Sequence, residues 1–168
     1  MTTAFFVPAT PPHNFAAEQA VLGAVLIKPG CFDEVAVRLV ADDFYMPAHV
    51  EIFDAMLGIA KRKEPIDTIT LAAEVRARDE LRRLPDGEEY FLQLAASVPT
   101  AENVGHYVRL VWEASAIRQA IHFLAEAASR AYGNPPPGQF MREVRDGWAQ
   151  LIAKLAKAGG KQPLKAVG

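Results

Sequence analysis

The stretch VADDFYMPAHVEIFDAM, residues 40–56, joins two apolar segments through a short polar passage. It has two interpretations: a metal or acid–base site built from its carboxylates and His49, or the connection between two helices. Asp42 can accept backbone N–H groups at a helix start, and Pro47 suits a first helical turn because that turn needs no N–H donor. A metal site would need a second His or Cys three or four residues from His49, and none is present. The stretch therefore predicts a connection between helices, with His49 as a structural residue in the interior or at an interface.

Apolar residues recur at helical spacing on both sides of this connection. Capping residues and prolines delimit five predicted helices. The first three lie at residues 14–28, 32–40 and 47–61. The fourth begins after an N-cap at Asp67, Thr68 or Thr70, and the fifth contains Tyr90, Phe91 and Leu94 and ends before Pro99. No sustained alternation of β-branched residues is present, so a core sheet is not expected. We predict an all-α fold with an extended arm at residues 1–13 and a small globular helical body at residues 14–100.

The last third of the chain predicts a long antiparallel helical hairpin over residues 101–158. An apolar stripe runs from Val104 to Ala128 and a second from Phe140 to Leu155, and YGNPPPGQ at residues 132–139 must break the helix between them. Two helices joined in this way fold back on each other. Residues 159–168 read as a polar linker or tail.

Such a hairpin buries one stripe against its partner helix and leaves apolar area exposed. Large aromatic residues on a projecting hairpin are also enriched at interfaces. We therefore predict that the hairpin contacts another chain, through a set of apolar residues on its two helices: Val108, Val111, Trp112, Ile121, Val144, Trp148, Leu151 and Leu155.

Charge is distributed unevenly along the sequence. Residues 1–103 carry nine Lys and Arg against sixteen Asp and Glu, whereas residues 104–168 carry nine against four. This is not the concentrated basic footprint of a DNA-binding domain, so little direct DNA binding is expected. The alternative, a helical DNA-binding regulator, would use RARDELRR at residues 76–83 as its recognition helix, although Asp79 and Glu80 dilute its charge.

Sequence signals of membranes, secretion and catalysis are missing. No apolar segment reaches the length of a membrane span, the N-terminus lacks the pattern of a secretory signal, and a lone Cys31 fits a reducing cytoplasm. The only Gly-Lys pair, Gly160-Lys161, lacks the upstream glycine and the following Ser or Thr of a phosphate-binding loop. We expect a cytoplasmic protein without membrane contact, and without catalytic, cofactor-binding or metal-binding residues.

Four blocks in order carry a resemblance to a known family: PPHNFAAEQAVLGAVLI, VADDFYMPAHVEIFDAM, PIDTITLAAEV and PTAENVGHYVRLVWEASAIR. Together they resemble the N-terminal domain of bacterial replicative DNA helicases of the DnaB family, over roughly residues 11–156. The resemblance implies a helical globular domain followed by a helical hairpin, in agreement with the periodicity.

The resemblance also implies a role in assembly. In that family, ATP hydrolysis and DNA translocation belong to a RecA-like motor domain, which would bind ATP and magnesium and is not found in this sequence. The N-terminal domains associate through their hairpins into dimers, and three dimers form the collar of a hexameric ring. The collar receives the helicase-binding domain of primase and, in some systems, a helicase loader. Two origins stay open: a truncated form of a longer helicase, or a natural stand-alone homologue from a mobile element.

Overall fold

The computed structural model describes residues 10–78, 84–98 and 100–158. These residues form α-helices, short 3-10 turns and loops without a strand among them, so the predicted all-α class is confirmed. The α-helices are α1 (Phe15–Ile27), α2 (Phe32–Ala36), α3 (Pro47–Lys61), α4 (Thr68–Ala77), α5 (Glu89–Ala96), α6 (Val104–Ala131) and α7 (Pro137–Ala158). Most of the predicted arm and all of the predicted tail, residues 1–9 and 159–168, lie outside the described residues.

Side chains that precede the helices fix where α1 and α4 begin. The Asn14 side chain accepts a hydrogen bond from the backbone N–H of Ala17 at 3.0 Å. Asp67 accepts bonds from the N–H groups of Ile69 and Thr70 at 2.9 and 2.8 Å, and the Thr70 hydroxyl accepts one from the N–H of Asp67 at 3.0 Å. This reciprocal arrangement is a capping box, and it selects Asp67 among the three predicted caps.

The connection before α3 differs from the prediction in two details. Helix α3 has the predicted bounds, but α2 ends at Ala36 rather than at Val40. The N–H of Val40 bonds to the Asp43 carboxylate at 2.8 Å instead of to a carbonyl one helical turn earlier. The prediction that Asp42 makes the structural contact is therefore wrong, because Asp42 is exposed and the buried Asp43 makes it.

Helix α1 lies at the centre of the body. It packs against α3, α5 and α6, while α4 covers the other side of α3. The side chains of Val21, Leu22 and Val25 are 0% exposed. Helix α5 approaches so closely that a Cβ on Gly23 would lie 2.1 Å from the backbone oxygen of Leu94. The core is therefore built around one apolar helix with a glycine at its tightest contact.

Helix α6 belongs to both the body and the hairpin. In the first half of α6, Val104, Val108, Val111 and Ser115 are buried, whereas no later residue of the helix is. At 1.5 Å per residue the helix is roughly 42 Å long, and its second half projects from the body. Helix α7 returns antiparallel beside this half, since Arg130 pairs with Glu143 and Gln119 with Lys154. The rings of Phe123 and Trp148 lie 5.5 Å apart between them.

Candidate interaction surface on the helical hairpin

Two apolar stripes on the hairpin are exposed to solvent. Their spacing of three, four or seven residues places each set on one helical face. These hairpin stripes consist of Ile117, Ile121 and Leu124 on α6, exposed by 53, 41 and 54%, and Met141, Trp148 and Ile152 on α7, exposed by 64, 36 and 46%. Large apolar side chains exposed in stripes of this kind are typical of an interaction site.

The structure separates the eight residues predicted for the interface into four groups. Val108 and Val111 are 2% and 1% exposed in the core of the body, so they cannot reach a second chain and their assignment was a misinterpretation. Trp112 is half-buried against the core, and its indole N–H has no hydrogen-bond partner among the described residues. Of the hairpin residues, Ile121 and Trp148 are exposed on the stripes.

The remaining three predicted residues, Val144, Leu151 and Leu155, are partly buried. Four stripe residues were not assigned to the interface. Three of them, Leu124, Met141 and Ile152, lie on the predicted apolar stripes, and their exposure required the structure. The fourth, Ile117, lies four residues before Ile121, and this spacing was the signal that could have found it.

Polar contacts hold the two hairpin helices in register. Near the tip, Arg130 forms an ion pair with Glu143. Further along, the Lys154 ammonium donates a hydrogen bond to the side-chain oxygen of Gln119 at 3.0 Å. Hydrogen bonds from the amide of Gln139 and from Arg130 lower the pKa of the Glu143 carboxyl. These contacts lie along the hairpin and fix which faces of α6 and α7 point outward.

The histidine of the opening stretch is part of a buried hydrogen-bond network. The His49 ring is 0% exposed and contacts the Glu18 carboxylate through Nδ1 and the Tyr90 hydroxyl through Nε2, both at 2.7 Å. Glu18 also accepts the backbone N–H groups of Tyr45 and Met46 at 2.8 and 3.2 Å, just before α3 begins. Burial raises the pKa of Tyr90. The network joins α1, α3 and α5, so His49 has the predicted structural role in the interior.

A second polar cluster lies where α6 leaves the body. The Ser115 hydroxyl donates to the Asp43 carboxylate at 2.6 Å. One turn later, Arg118 donates to the backbone oxygens of Pro12, at 2.9 Å, and Asp43. Burial lowers the pKa of the Arg118 guanidinium, against the opposing influence of Glu18 and Asp43. This cluster attaches the root of the hairpin to the loop before α3 and to the residues before α1.

The alternative DNA-contacting segment, residues 76–83, is described only through residue 78. Arg76 is paired with Glu88. Arg78 contacts Asp54 at 2.6 Å and Glu74 at 2.8 Å. Guanidinium groups paired in this way do not form a free basic footprint, which weighs against a recognition helix here.

Residues 10–78, 84–98 and 100–158 show neither a metal cluster nor a single membrane-spanning helix. This part of the chain contains no group of three or more His, Cys, Asp or Glu placed to hold a metal ion. No single helix in it has both the length and the hydropathy to cross a bilayer. Only α1 combined with residues 29–36, across a bend of 120°, passes by length and composition.

An all-α body that carries a projecting hairpin with exposed apolar stripes defines a helical interaction domain. The chain belongs to the DnaB-like helicase N terminal domain family, which matches residues 10–113. Among curated relatives, it is 42% identical over 127 residues to the replicative DNA helicase DnaB of Geobacillus stearothermophilus. That match covers 76% of this chain and 28% of the helicase, so the chain spans less than a third of the length of this relative.

Solved structures share the fold. The crystal structure of the N-terminal domain of DnaB helicase from Mycobacterium tuberculosis superposes with a TM-score of 0.76 at 34% identity, covering 82% of this chain and 96% of that one. A structure of a DnaB-like replicative helicase and its interactions with primase superposes with a TM-score of 0.66 at 28% identity, covering 78% and 31%. The family resemblance seen in the sequence is confirmed.

Proposed function

We propose that this chain is the non-catalytic assembly domain of a replicative DNA helicase and that copies of it associate through the hairpin stripes. The observation that carries the proposal is the exposure of six large apolar side chains on the hairpin. The two helices already contact each other through Phe123 and Trp148 and through polar pairs, yet this apolar surface stays in solvent. A domain of this family that contacted no other chain would be expected to bury these apolar side chains.

The stripes suggest an association of moderate strength. Fully burying a large apolar side chain contributes about 1.5–3 kcal/mol, so six half-exposed residues contribute roughly 6 kcal/mol per copy and about 12 kcal/mol per dimer. Association itself costs about 4–15 kcal/mol in lost freedom and side-chain ordering. Because the two terms are similar, we expect dimers that form and dissociate with concentration.

The wider role follows from the relatives. We infer that dimers of this domain build the collar of a ring-shaped hexamer and that the collar binds primase, since one structural relative is described in its interactions with primase. A helicase loader is a further candidate partner. Assembly would need neither ATP nor magnesium, which the motor domain of such a helicase would bind, and it would take place in the cytoplasm.

Sedimentation velocity over a wide concentration range tests the proposal. We expect a monomer–dimer equilibrium for the parent chain and a faster-sedimenting complex after addition of the cognate primase domain. Ile121→Asp places a charge in the α6 stripe and should weaken the dimer at least tenfold, about 1.4 kcal/mol. The matched control is Ile69→Asp, on α4, where the side chain is 80% exposed outside the hairpin.

The two variants separate a specific surface from general stickiness. If Ile121→Asp and Ile69→Asp sediment alike, the hairpin stripe is not the contact. A parent chain that stays monomeric at every concentration, and does not bind the primase domain, would remove the proposal.

A further inference from the structure

One side chain at the root of the hairpin, that of Arg118, makes three contacts with the body. The planar guanidinium of Arg118 donates from one nitrogen to the Pro12 oxygen, at 2.9 Å, and from another to the Asp43 oxygen. Its centre also lies 5.7 Å from the centroid of the Tyr45 ring. Two backbone acceptors and an aromatic face define the position of a planar cation more closely than a single ion pair would.

The contact surface of Arg118 is itself held in place. The His13 ring stacks on Tyr45 with centroids 4.4 Å apart, so Tyr45 contacts a ring and a guanidinium. The backbone N–H of Tyr45 donates to Glu18, which connects it to the buried His49 network. Arg118 therefore contacts a loop that the buried Glu18–His49 network holds against the body.

The buried first half of α6 and the Ser115–Asp43 bond set the general direction of the hairpin, but beyond Ser115 few contacts hold it against bending of the helix. Among the described residues of α6 after Ser115, Arg118 is the one whose hydrogen bonds reach outside the hairpin. Beside it lies an open groove of about 430 Å³, lined by Asp42 of the body and by Gln119 and Leu151 of the hairpin. Side chains from the body do not fill this space, so on this side there is room for the projecting half of α6 to bend.

We propose that Arg118 is a positioning residue that fixes the angle between hairpin and body, and with it the direction in which the hairpin stripes face another copy. From Arg118 to the tip, α6 extends roughly 20 Å, so a tilt of about 10° displaces the tip by roughly 3–4 Å. Interfaces pack closely enough for such a displacement to matter. The consequence for assembly rests on the proposed function, whereas the fixed angle does not.

Double electron–electron resonance, which measures the distance between two spin labels, tests the angle between hairpin and body directly. Labels are attached at Ile69→Cys on α4 and Ser129→Cys near the hairpin tip, in a Cys31→Ala background, and labelled chains are diluted with unlabelled ones. We expect a single narrow distribution of label-to-label distances in the doubly labelled protein that retains Arg118. In Arg118→Lys the distribution should be at least twice as wide. Lysine keeps the charge but presents its donors from one nitrogen, so it does not reproduce the fork.

Two further variants make every outcome informative. Tyr45→Leu removes the ring under the guanidinium and should widen the distribution to an intermediate degree. Arg109→Ala, which removes an exposed side chain from the same helix, should leave it unchanged. A narrow distribution in both Arg118→Lys and Tyr45→Leu would overturn the proposal, even if the parent chain dimerises. If the distribution is wide in Arg118→Lys but the parent chain never dimerises, the positioning role is supported and the proposed function is contradicted.

Discussion

At the scale of single residues, Gly23 has the most constrained position in the body. A Cβ added to it would lie 2.1 Å from the Leu94 oxygen, across the α1–α5 contact, and 2.5 Å from a methyl group of Val98. Real Cβ contacts are not that short, and a backbone oxygen cannot rotate away as a side chain can. The glycine therefore sets the distance between the two helices.

Gly23→Ala should lower the free energy of unfolding by about 3 kcal/mol, because α5 must move away from α1 to admit one methyl group. In a domain of this size that corresponds to a fall in Tm of roughly 6–12 °C. Thermal unfolding followed by circular dichroism measures it. Gly30→Ala is the control, since nothing lies within 4 Å of its Cβ position, and equal losses from the two variants would contradict the packing argument.

At the scale of elements, α4 illustrates how a helix depends on one cap. The carboxylate of Asp67 accepts two backbone N–H groups at its start. The hydrogen bond from the Thr70 N–H is the main cause that lowers the pKa of Asp67, with smaller contributions from the Thr70 hydroxyl and the Ile69 N–H. A carboxyl group whose pKa is lower in the folded state than in the unfolded state stabilises the folded state. This stabilisation is fully present at pH values above the unfolded pKa and is lost as the pH falls through the folded pKa.

Asp67→Ala should cost about 1 kcal/mol at neutral pH, and the difference from the parent should shrink as the pH falls below about 4. Asp67→Asn keeps a capping oxygen, so it should stay within about 0.5 kcal/mol of the parent at pH 7 while losing the pH dependence contributed by this site. Urea unfolding at a series of pH values compares the three proteins. A difference between parent and Asp67→Ala that persists unchanged at pH 3 would contradict the assignment.

Helix boundaries were largely predictable because their signals are local. Pro47 and the apolar spacing after it were enough for α3, and Asp67 was among the candidate caps of α4. The stop of helical hydrogen bonding before Val40 was not predictable, because the Val40 N–H bonds to the Asp43 carboxylate. Periodicity also could not show that the apolar stripe of α6 is buried in the core at Val111 but exposed to solvent at Ile121.

At the scale of the whole molecule, the buried carboxylate of Glu18 links elements that are distant in sequence. Its two oxygens accept from Tyr45 and Met46 and contact His49, which in turn contacts Tyr90. The sequence indicated the helices that carry these residues but not the network, since hydrogen-bond partners 27 to 41 residues apart follow from the fold. The side chains of Glu18, His49 and Tyr90 are buried and hydrogen-bonded to one another, so loss of the network should destabilise the whole body.

Glu18→Gln should destabilise the fold by about 2 kcal/mol, because an amide NH2 would face at least one backbone N–H that the carboxylate now accepts. We expect amide hydrogen exchange to become faster in α1, α3 and α5 together. Glu113→Gln, at an exposed position on α6, is the control. Faster exchange confined to the start of α3 would indicate that the network is a local cap and does not couple the helices.

The continuity of α6 through body and hairpin has a geometric consequence. Successive residues of an α-helix are turned by about 100° and advanced by 1.5 Å. A single residue inserted after Arg118 would leave the core untouched, yet it would swing Ile121 and Leu124 by a quarter of a revolution or more. Seven inserted residues would nearly restore the original azimuth and lift the stripes outward by roughly 10 Å. Length changes in this half of α6 therefore keep the stripes facing the same way only when they are close to whole turns, as with about seven or about eleven residues.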